Sequence, residues 1–333
     1  MSEILLEARN LRKDFPVGRR QALHAVADVS LTLRKGETLG LVGESGCGKS
    51  TLGRMLMHLL KPTGGEVLLR GEPVSGLSDR EFLKYRRQLQ MVFQDPYASL
   101  NPRMNVRDLI AEPLETYRMY RTKEETTRKV LELMDTVGLA AEYLYRYPHQ
   151  FSGGQRQRIA VARAIAPDPE LVVCDEPVSA LDVSVQNQIL NLLRELQKSR
   201  GLTYLFISHD LSVIRHISDR IAVMYLGKIC ETGPTEEVFR SPRHPYTRFL
   251  TAAVPVPDPR KRDEPAPMLS GEIPSPVRPP EGCRFHTRCP YASERCRREE
   301  PEMRGSGERQ AACHLDFTEE GENNHGLYGT AGV

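Results

Sequence analysis

Through about Phe249 the chain alternates short apolar runs with longer stretches whose apolar residues recur at helical spacing. Glu37 to Val42 predicts a strand that runs into a Gly-rich turn, with a helix from about Lys49. Leu171 to Cys174 and Thr203 to Ser208 are short and continuously apolar, the pattern of parallel strands covered on both faces. Between them Val185, Ile189, Leu192, Leu193 and Leu196 follow the i, i+4, i+7, i+8, i+11 spacing of one helix face. Leu89 to Phe93 predicts another strand. Such alternation predicts an α/β sheet covered by helices. Taken alone, these runs need mean no more than core filling. The stretch from about Pro96 to Ala166 is different: it is rich in helix formers, above all at Lys123 to Val137, and predicts a helical insert in the sheet domain.

The pattern changes after residue 253. From Val254 to Pro280 there are nine prolines, which remove backbone donors and fix φ, so an extended connector is expected. A segment over 281–318 carries Cys283, Cys289, Cys296 and Cys313, and the polar, Gly-rich residues 319–333 are expected to fray. A length of 333 residues allows about two domains. An apolar fraction of 39% with 27% charged residues is ordinary for a soluble globular chain. A formal charge of +2 gives no electrostatic case for nucleic acid as a partner. No apolar run approaches the roughly 20 residues of a spanning helix. Ser2, Glu3 and the mixed residues after them lack the basic start and apolar core of a signal peptide, so a cytoplasmic protein is expected.

The chemistry sits at the ends of the predicted strands. Gly43-Glu44-Ser45-Gly46-Cys47-Gly48-Lys49-Ser50-Thr51 matches the phosphate-binding loop and lies where one must, after a strand and before a helix. Its glycines let backbone N–H groups wrap phosphates, and the helix N-terminus adds a positive dipole end. Lys49 is suited to the β- and γ-phosphates of ATP and Ser50 to Mg²⁺. The strand at Leu171 ends in Asp175-Glu176, carboxylates aimed at the crevice where open α/β sheets bind ligands. Asp175 is suited to Mg²⁺, and Glu176 to activating water as general base. The strand at Thr203 delivers His209-Asp210 to the same edge, where a histidine can bond the γ-phosphate or the water. These groups together are those that phosphoryl transfer to water requires.

Phe151-Ser152-Gly153-Gly154-Gln155 narrows the field. With this signature about a hundred residues after the loop, the chain resembles the ABC ATPases from about residue 3 to 253. The resemblance implies an ABC ATPase core with a helical subdomain and a small Cys-containing C-terminal extension. It makes Gln94 the glutamine that contacts Mg²⁺ and water, Ser179-Ala180-Leu181-Asp182 the D-loop, and His209 the switch histidine. Phe15 takes the place of the aromatic that stacks on adenine, although an aromatic near an early strand can also be core. Gly153 and Gly154 precede a helix expected near Gln155, a second helix N-terminus suited to phosphate. The family implies that it faces the nucleotide of an opposite subunit, so that two subunits clamp two ATP molecules.

Finer features, Gln94 to Pro102, His244-Pro245-Tyr246-Thr247 and Gly271 to Pro276, resemble the dipeptide/oligopeptide/nickel importer ATPases. Glu176-Pro177-Val178-Ser179-Ala180 resembles the second of that family's ATPase pair, the dipeptide permease type. The implied partners are a paralogous ATPase, two transmembrane permease subunits and an external solute-binding protein, at the cytoplasmic face of the inner membrane. Import of nickel, glutathione or another small solute is the alternative within the family. A soluble ABC ATPase of DNA repair or translation is the alternative outside it, and it would need a coiled-coil insertion or a second cassette. The late cysteines are spaced C-x5-C-x6-C-x16-C, without the paired C-x2-4-C units usual for zinc. Four thiolates can hold a [4Fe–4S] cluster, which family members with this tail carry. Zinc, with His286 and His314 as spare ligands, and no metal at all are the alternatives.

Overall fold

A computed structural model of the protein describes residues 3–18, 21–254 and 271–315. The first part of the proline-rich connector, 255–270, and the tail at 319–333 lie outside the described residues. The strands are β1 (Ile4–Val17), β2 (Gln21–Arg34), β3 (Thr38–Val42), β4 (Gly64–Leu69), β5 (Glu72–Pro73) and β6 (Leu89–Val92). There follow β7 (Leu171–Asp175), β8 (Thr203–Ser208), β9 (Arg220–Tyr225), β10 (Lys228–Pro234), β11 (Arg304–Ser306) and β12 (Arg309–Ala311). They form two sheets: an antiparallel one in the order β2-β1-β4-β5, and a larger one in the order β11-β12-β10-β9-β3-β8-β7-β6.

In the larger sheet, β6, β7, β8, β3 and β9 are mutually parallel. Their continuous apolar sequence has a direct cause, because successive residues feed two different cores. Val42, Val172, Cys174, Tyr204, Phe206 and Val223 join the core on the helical side. Their neighbours Leu41, Leu171, Val173, Leu205, Ile207 and Met224 join the core beneath the antiparallel sheet. The helix Lys49–Leu56 lies in that second core through Leu52, Met55 and Leu56. Each such side chain, fully buried, contributes roughly 1.5–3 kcal/mol.

Between β6 and β7 the predicted insert contains the helices Pro96–Ser99, Val106–Thr116, Lys123–Thr136 and Gly153–Ile165. The last begins at Gly153 instead of near Gln155, because Ser152 serves as its cap and accepts from the Gln155 amide. The predicted helix after β7 spans Val183–Arg200 and ends on Gly201 in the left-handed region.

The C-terminal segment is built onto the body of the protein. β12 pairs with β10, so this segment extends the main sheet. Phe285 is only 1% exposed. It packs against Tyr225, Tyr246 and His244 at centroid distances of 5.2, 5.4 and 5.7 Å. The end of the connector is docked as well, since the His24 amide donates to the Pro276 carbonyl at 3.1 Å.

His244 is buried at this junction and caps the helix Pro245–Ala252, its Nδ1 accepting from the Tyr246 amide at 3.0 Å. Burial pushes its pKa down to about 3. An unfolded histidine takes up a proton near pH 6.5; the native one refuses it until about pH 3. Native stability from this group is therefore complete above pH 6.5 and is lost as the pH falls, by roughly 1 kcal/mol per unit. His244→Asn keeps a capping acceptor but cannot titrate. In urea titrations from pH 7 to pH 5, wild type should lose stability more steeply than the variant by about that slope. Equal slopes would remove the assignment.

Candidate active site

The parallel register sets four strand ends level. Val42 pairs with Ser208, Asp175 with Ile207, and Val92 with Cys174, so the residues that follow emerge along one edge. From β3 the chain turns through Gly43 to Gly48 into the helix Lys49–Leu56. The turn is pressed onto the body of the protein. Gly48 has φ +107°, and a Cβ there would lie 2.1 Å from the Ala25 carbonyl oxygen. A Cβ on Gly43 would lie 2.0 Å from that of Met224. No side chain fits at either place.

A cavity of about 810 Å³ opens above this turn. Phe15, Gly43, Ser45, Gly46, Gly48, Lys49, Ser50, Thr51, Gln94, Glu176 and His209 all line it. Lys49 is 4% exposed. Its Nζ donates to the carbonyls of Gly43, at 2.7 Å, and Glu44, at 3.0 Å. Ser50 Oγ donates to Asp175 Oδ1 at 2.7 Å. Burial raises the Asp175 pKa, and the Ser50 bond opposes the rise. Glu176, with φ at +47°, holds a left-handed backbone conformation that is costly for a residue with a Cβ. Its carboxylate is spanned by two neighbours: Gln94 Nε2 donates to Oε2 at 3.0 Å, and His209 Nδ1 lies 3.2 Å from Oε1. Phe15, on β1, has Lys13 Nζ 5.2 Å from its ring centroid.

Other residues singled out from the sequence lie elsewhere. Cys47 is buried under the turn and does not line the cavity; burial raises its thiol pKa. Ser152 and Gly153 are exposed and do not line it either. At Gly154 a Cβ would lie 2.4 Å from Val185 Cγ1, so this glycine lets two helices meet. Asp182 caps the helix Val183–Arg200 by accepting from the Val185 amide at 3.0 Å. Glu44 of the loop also lines the cavity, as do Leu23, Ala25 and Leu250, which no motif marks. A signal existed for this face: the His-Pro-Tyr-Thr motif places Tyr246, whose Oη accepts from the Glu44 amide at 2.9 Å.

The expectation of a [4Fe–4S] cluster is not upheld, nor is that of zinc. Among the described residues, no group of three or more His, Cys, Asp or Glu side chains is arranged to hold a metal ion. Cys283, Cys289, Cys296 and Cys313 do surround a common space, but it measures only about 10 Å³. A single water needs about that much. Burial pushes Cys289 up to about 12 and Cys313 up to about 11, and also raises Cys283. His286 Nδ1 and His314 Nε2 are each turned to a backbone carbonyl at 2.9 Å, of Cys283 and Glu299 respectively. Sequence spacing does not report how much space the side chains leave between them.

Comparison with known proteins follows the same lines. A family model described as ABC transporter matches residues 26–179, and one described as oligopeptide/dipeptide transporter, C-terminal region, matches residues 230–296. The oligopeptide transport ATP-binding protein AppF of Bacillus subtilis is 52% identical over 324 residues, covering 94% of this chain and 98% of that protein. The oligopeptide transport ATP-binding protein OppF of Escherichia coli is 48% identical over 93% of this chain and 96% of its own length. The di/tripeptide transport ATP-binding protein DppF of Pseudomonas aeruginosa is 50% identical over 94% and 98%. Among solved structures, the dimeric ATP-binding cassette MJ0796, in a post-hydrolysis state bound to ADP and Pi, matches with a TM-score of 0.64. It is 32% identical and covers 69% of this chain and 99% of that one. A phosphate loop, an acidic pair and a histidine on one sheet edge, in a chain about half identical to these proteins over nearly its whole length, leave one conclusion: it belongs to the ABC transporter ATPases, as an ATP-binding and ATP-hydrolysing subunit of the oligopeptide/dipeptide transport branch.

Proposed function

We propose that the cavity holds ATP with its phosphates on the Gly43 to Thr51 turn, and that Glu176 activates the attacking water to drive uptake of di- or oligopeptides. One observation carries this reading: Gln94, Glu176 and His209, from three strand ends, meet within hydrogen-bonding distance above the phosphate loop. The loop amides and Lys49 neutralise the phosphates, and reaching them trades the Gly43 and Glu44 carbonyls for phosphate oxygens. Glu176 takes a proton from water. Gln94 and His209 fix the direction of its carboxylate, and His209 is also suited to the γ-phosphate. Phe15 offers its ring to the adenine. The donor set at Ser50 and Asp175, with Gln94 beside it, suits Mg²⁺, a hard cation that prefers oxygen ligands. When bound, Mg²⁺ would supply charge neutralisation at the phosphate oxygens.

The exposed Ser152 turn at a helix N-terminus supports a shared site. In this reading Ser152, Gly153, Gly154 and Gln155, with Asp182, serve the nucleotide of a neighbouring subunit, a paralogous ATPase in a heterodimer. Residues 1–253 then form the ATPase domain, with 96–166 its helical subdomain, 254–280 a connector, 281–318 an extension and 319–333 a tail. Among the described residues no helix is long and apolar enough to cross a membrane. The subunit is accordingly read as peripheral, at the cytoplasmic face of the inner membrane, carried by two permease subunits that receive solute from an external binding protein.

Glu176→Gln should still bind ATP while turnover falls by roughly 10²–10⁴ through loss of the base. Steady-state phosphate release alongside nucleotide binding separates the two effects, and near-normal hydrolysis would mean another group is the base. Purified from its membranes in mild detergent, the chain should bring down two membrane proteins and a second ATPase. Recovery only with ribosomes or DNA would sink the transport reading.

A further inference from the structure

One residue of the phosphate loop is held from outside the nucleotide-binding strands. The Glu44 side chain is gripped by Arg288 of the C-terminal segment, with Nη1 to Oε2 at 2.7 Å and Nη2 to Oε1 at 3.1 Å. The Arg288 side chain is only 6% exposed. It lies 6.0 Å from the Tyr225 ring centroid, next to the Phe285 cluster that seats the segment. The backbone of the same glutamate is held on both sides as well. Its N–H donates to Tyr246 Oη, and its carbonyl accepts from Lys49 Nζ.

The ends and the crest of the loop are supported differently. At Gly43 and Gly48 the loop lies against the Met224 and Ala25 carbonyls, so the body of the protein fixes both ends. At Gly46 an added Cβ would meet nothing within 4 Å, so the crest is open. Glu44 stands between an anchored end and that open crest, and its anchors come from 202 and 244 residues away. A two-pronged bond between guanidinium and carboxylate is directional as well as strong. Such a bond holds the Glu44 peptide in place while Lys49 exchanges its carbonyl partners for phosphate oxygens. It also neutralises a carboxylate that lines the cavity and would otherwise repel a polyphosphate.

We propose that Arg288 is a positioning residue for ATP binding: through Glu44 it braces the phosphate loop and screens its one carboxylate, so that the C-terminal segment sets the nucleotide affinity of the site. The inference rests on the phosphate-loop reading above and adds a residue outside the ATPase core to it. It concerns no contact between Arg288 and nucleotide.

The test is calorimetric titration of the full chain with Mg·ADP. Arg288→Gln should weaken binding about tenfold, equivalent to about 1.4 kcal/mol. Arg288→Lys should recover part of that, since an ammonium supplies charge without the fork. In a Glu44→Gln background the same Arg288→Gln change should alter affinity by less than twofold, because its target is gone; a merely structural defect would persist there. Should Arg288→Gln fail to fold, Glu44→Gln removes the charge pairing while its amide oxygen can still accept from Arg288, and amide exchange at residues 43–48 should then rise about tenfold over wild type. Unchanged affinity in Arg288→Gln, an equal loss in both backgrounds, or unchanged loop exchange in Glu44→Gln overturns the proposal. Wild-type and Lys49→Ala titrations separate the two layers. No binding by wild type removes the phosphate-loop reading together with this one, whereas normal wild-type binding, lost in Lys49→Ala and untouched in the Arg288 variants, removes this one alone.

Discussion

The register of a sheet buried on both faces is the constraint on which the rest of this molecule depends. Side chains alternate between two cores, so a slip of one residue between β3 and β8 would send Leu41 to the helical side and Val42 under the antiparallel sheet. Every strand in the parallel set carries the same penalty, multiplied over several fully buried side chains. That penalty sets the strand ends level. Lys49, Ser50, Gln94, Asp175, Glu176 and His209 belong to four separate segments, and none of them is brought to the site by its own local structure. They meet because the apolar residues before them cannot shift.

Charge at this edge is managed by pairing and by partial burial in a definite order. Asp175, 2% exposed, gains the Ser50 hydroxyl, which offsets part of the cost of burial. Glu176 is more open and is held by one amide and one imidazole, which orient it without a permanent counter-charge. Its positive φ adds a strain of order 1–3 kcal/mol, sustained by the Glu176 amide bonding to the Ile207 carbonyl at 3.0 Å. The two neighbouring carboxylates therefore occupy distinct environments. One sits inside, beside a hydroxyl suited to a cation, and the other at the rim, suited to water.

Much of this was legible because the motifs are local and their context is a strand end. The loop from Gly43, the Asp175-Glu176 pair and His209 could each be placed from a few residues of sequence. The sheet itself followed from apolar runs that had to be covered twice. What could not be read was long-range or environmental. Nothing near Cys283 announces that Phe285 will pack on Tyr225, or that β12 will extend the main sheet beside β10. The same blindness produced the metal expectation: four cysteines in a row of spacings look like ligands until the space between them proves as small as one water and, among the described residues, no group is arranged to hold a metal ion. The start of the Gly153 helix moved for a smaller reason, a serine cap that competes with solvent for the first free amides.

The needs of the phosphate loop account for where the extension sits. A phosphate loop needs rigid ends and a backbone able to present its amides, and the glycines at 43 and 48 supply close contact with the body of the protein at both ends. Between them lie Glu44, Ser45, Gly46 and Cys47. Glu44 is the one long side chain in that interval, and it reaches Arg288. A buried guanidinium next to apolar rings is costly unless its charge is matched. The C-terminal segment therefore depends on the loop for its carboxylate as much as the loop depends on the segment for its brace. That mutual requirement joins the docked extension to the nucleotide site through the Glu44–Arg288 ion pair, beside the contact that Phe285 makes with Tyr246.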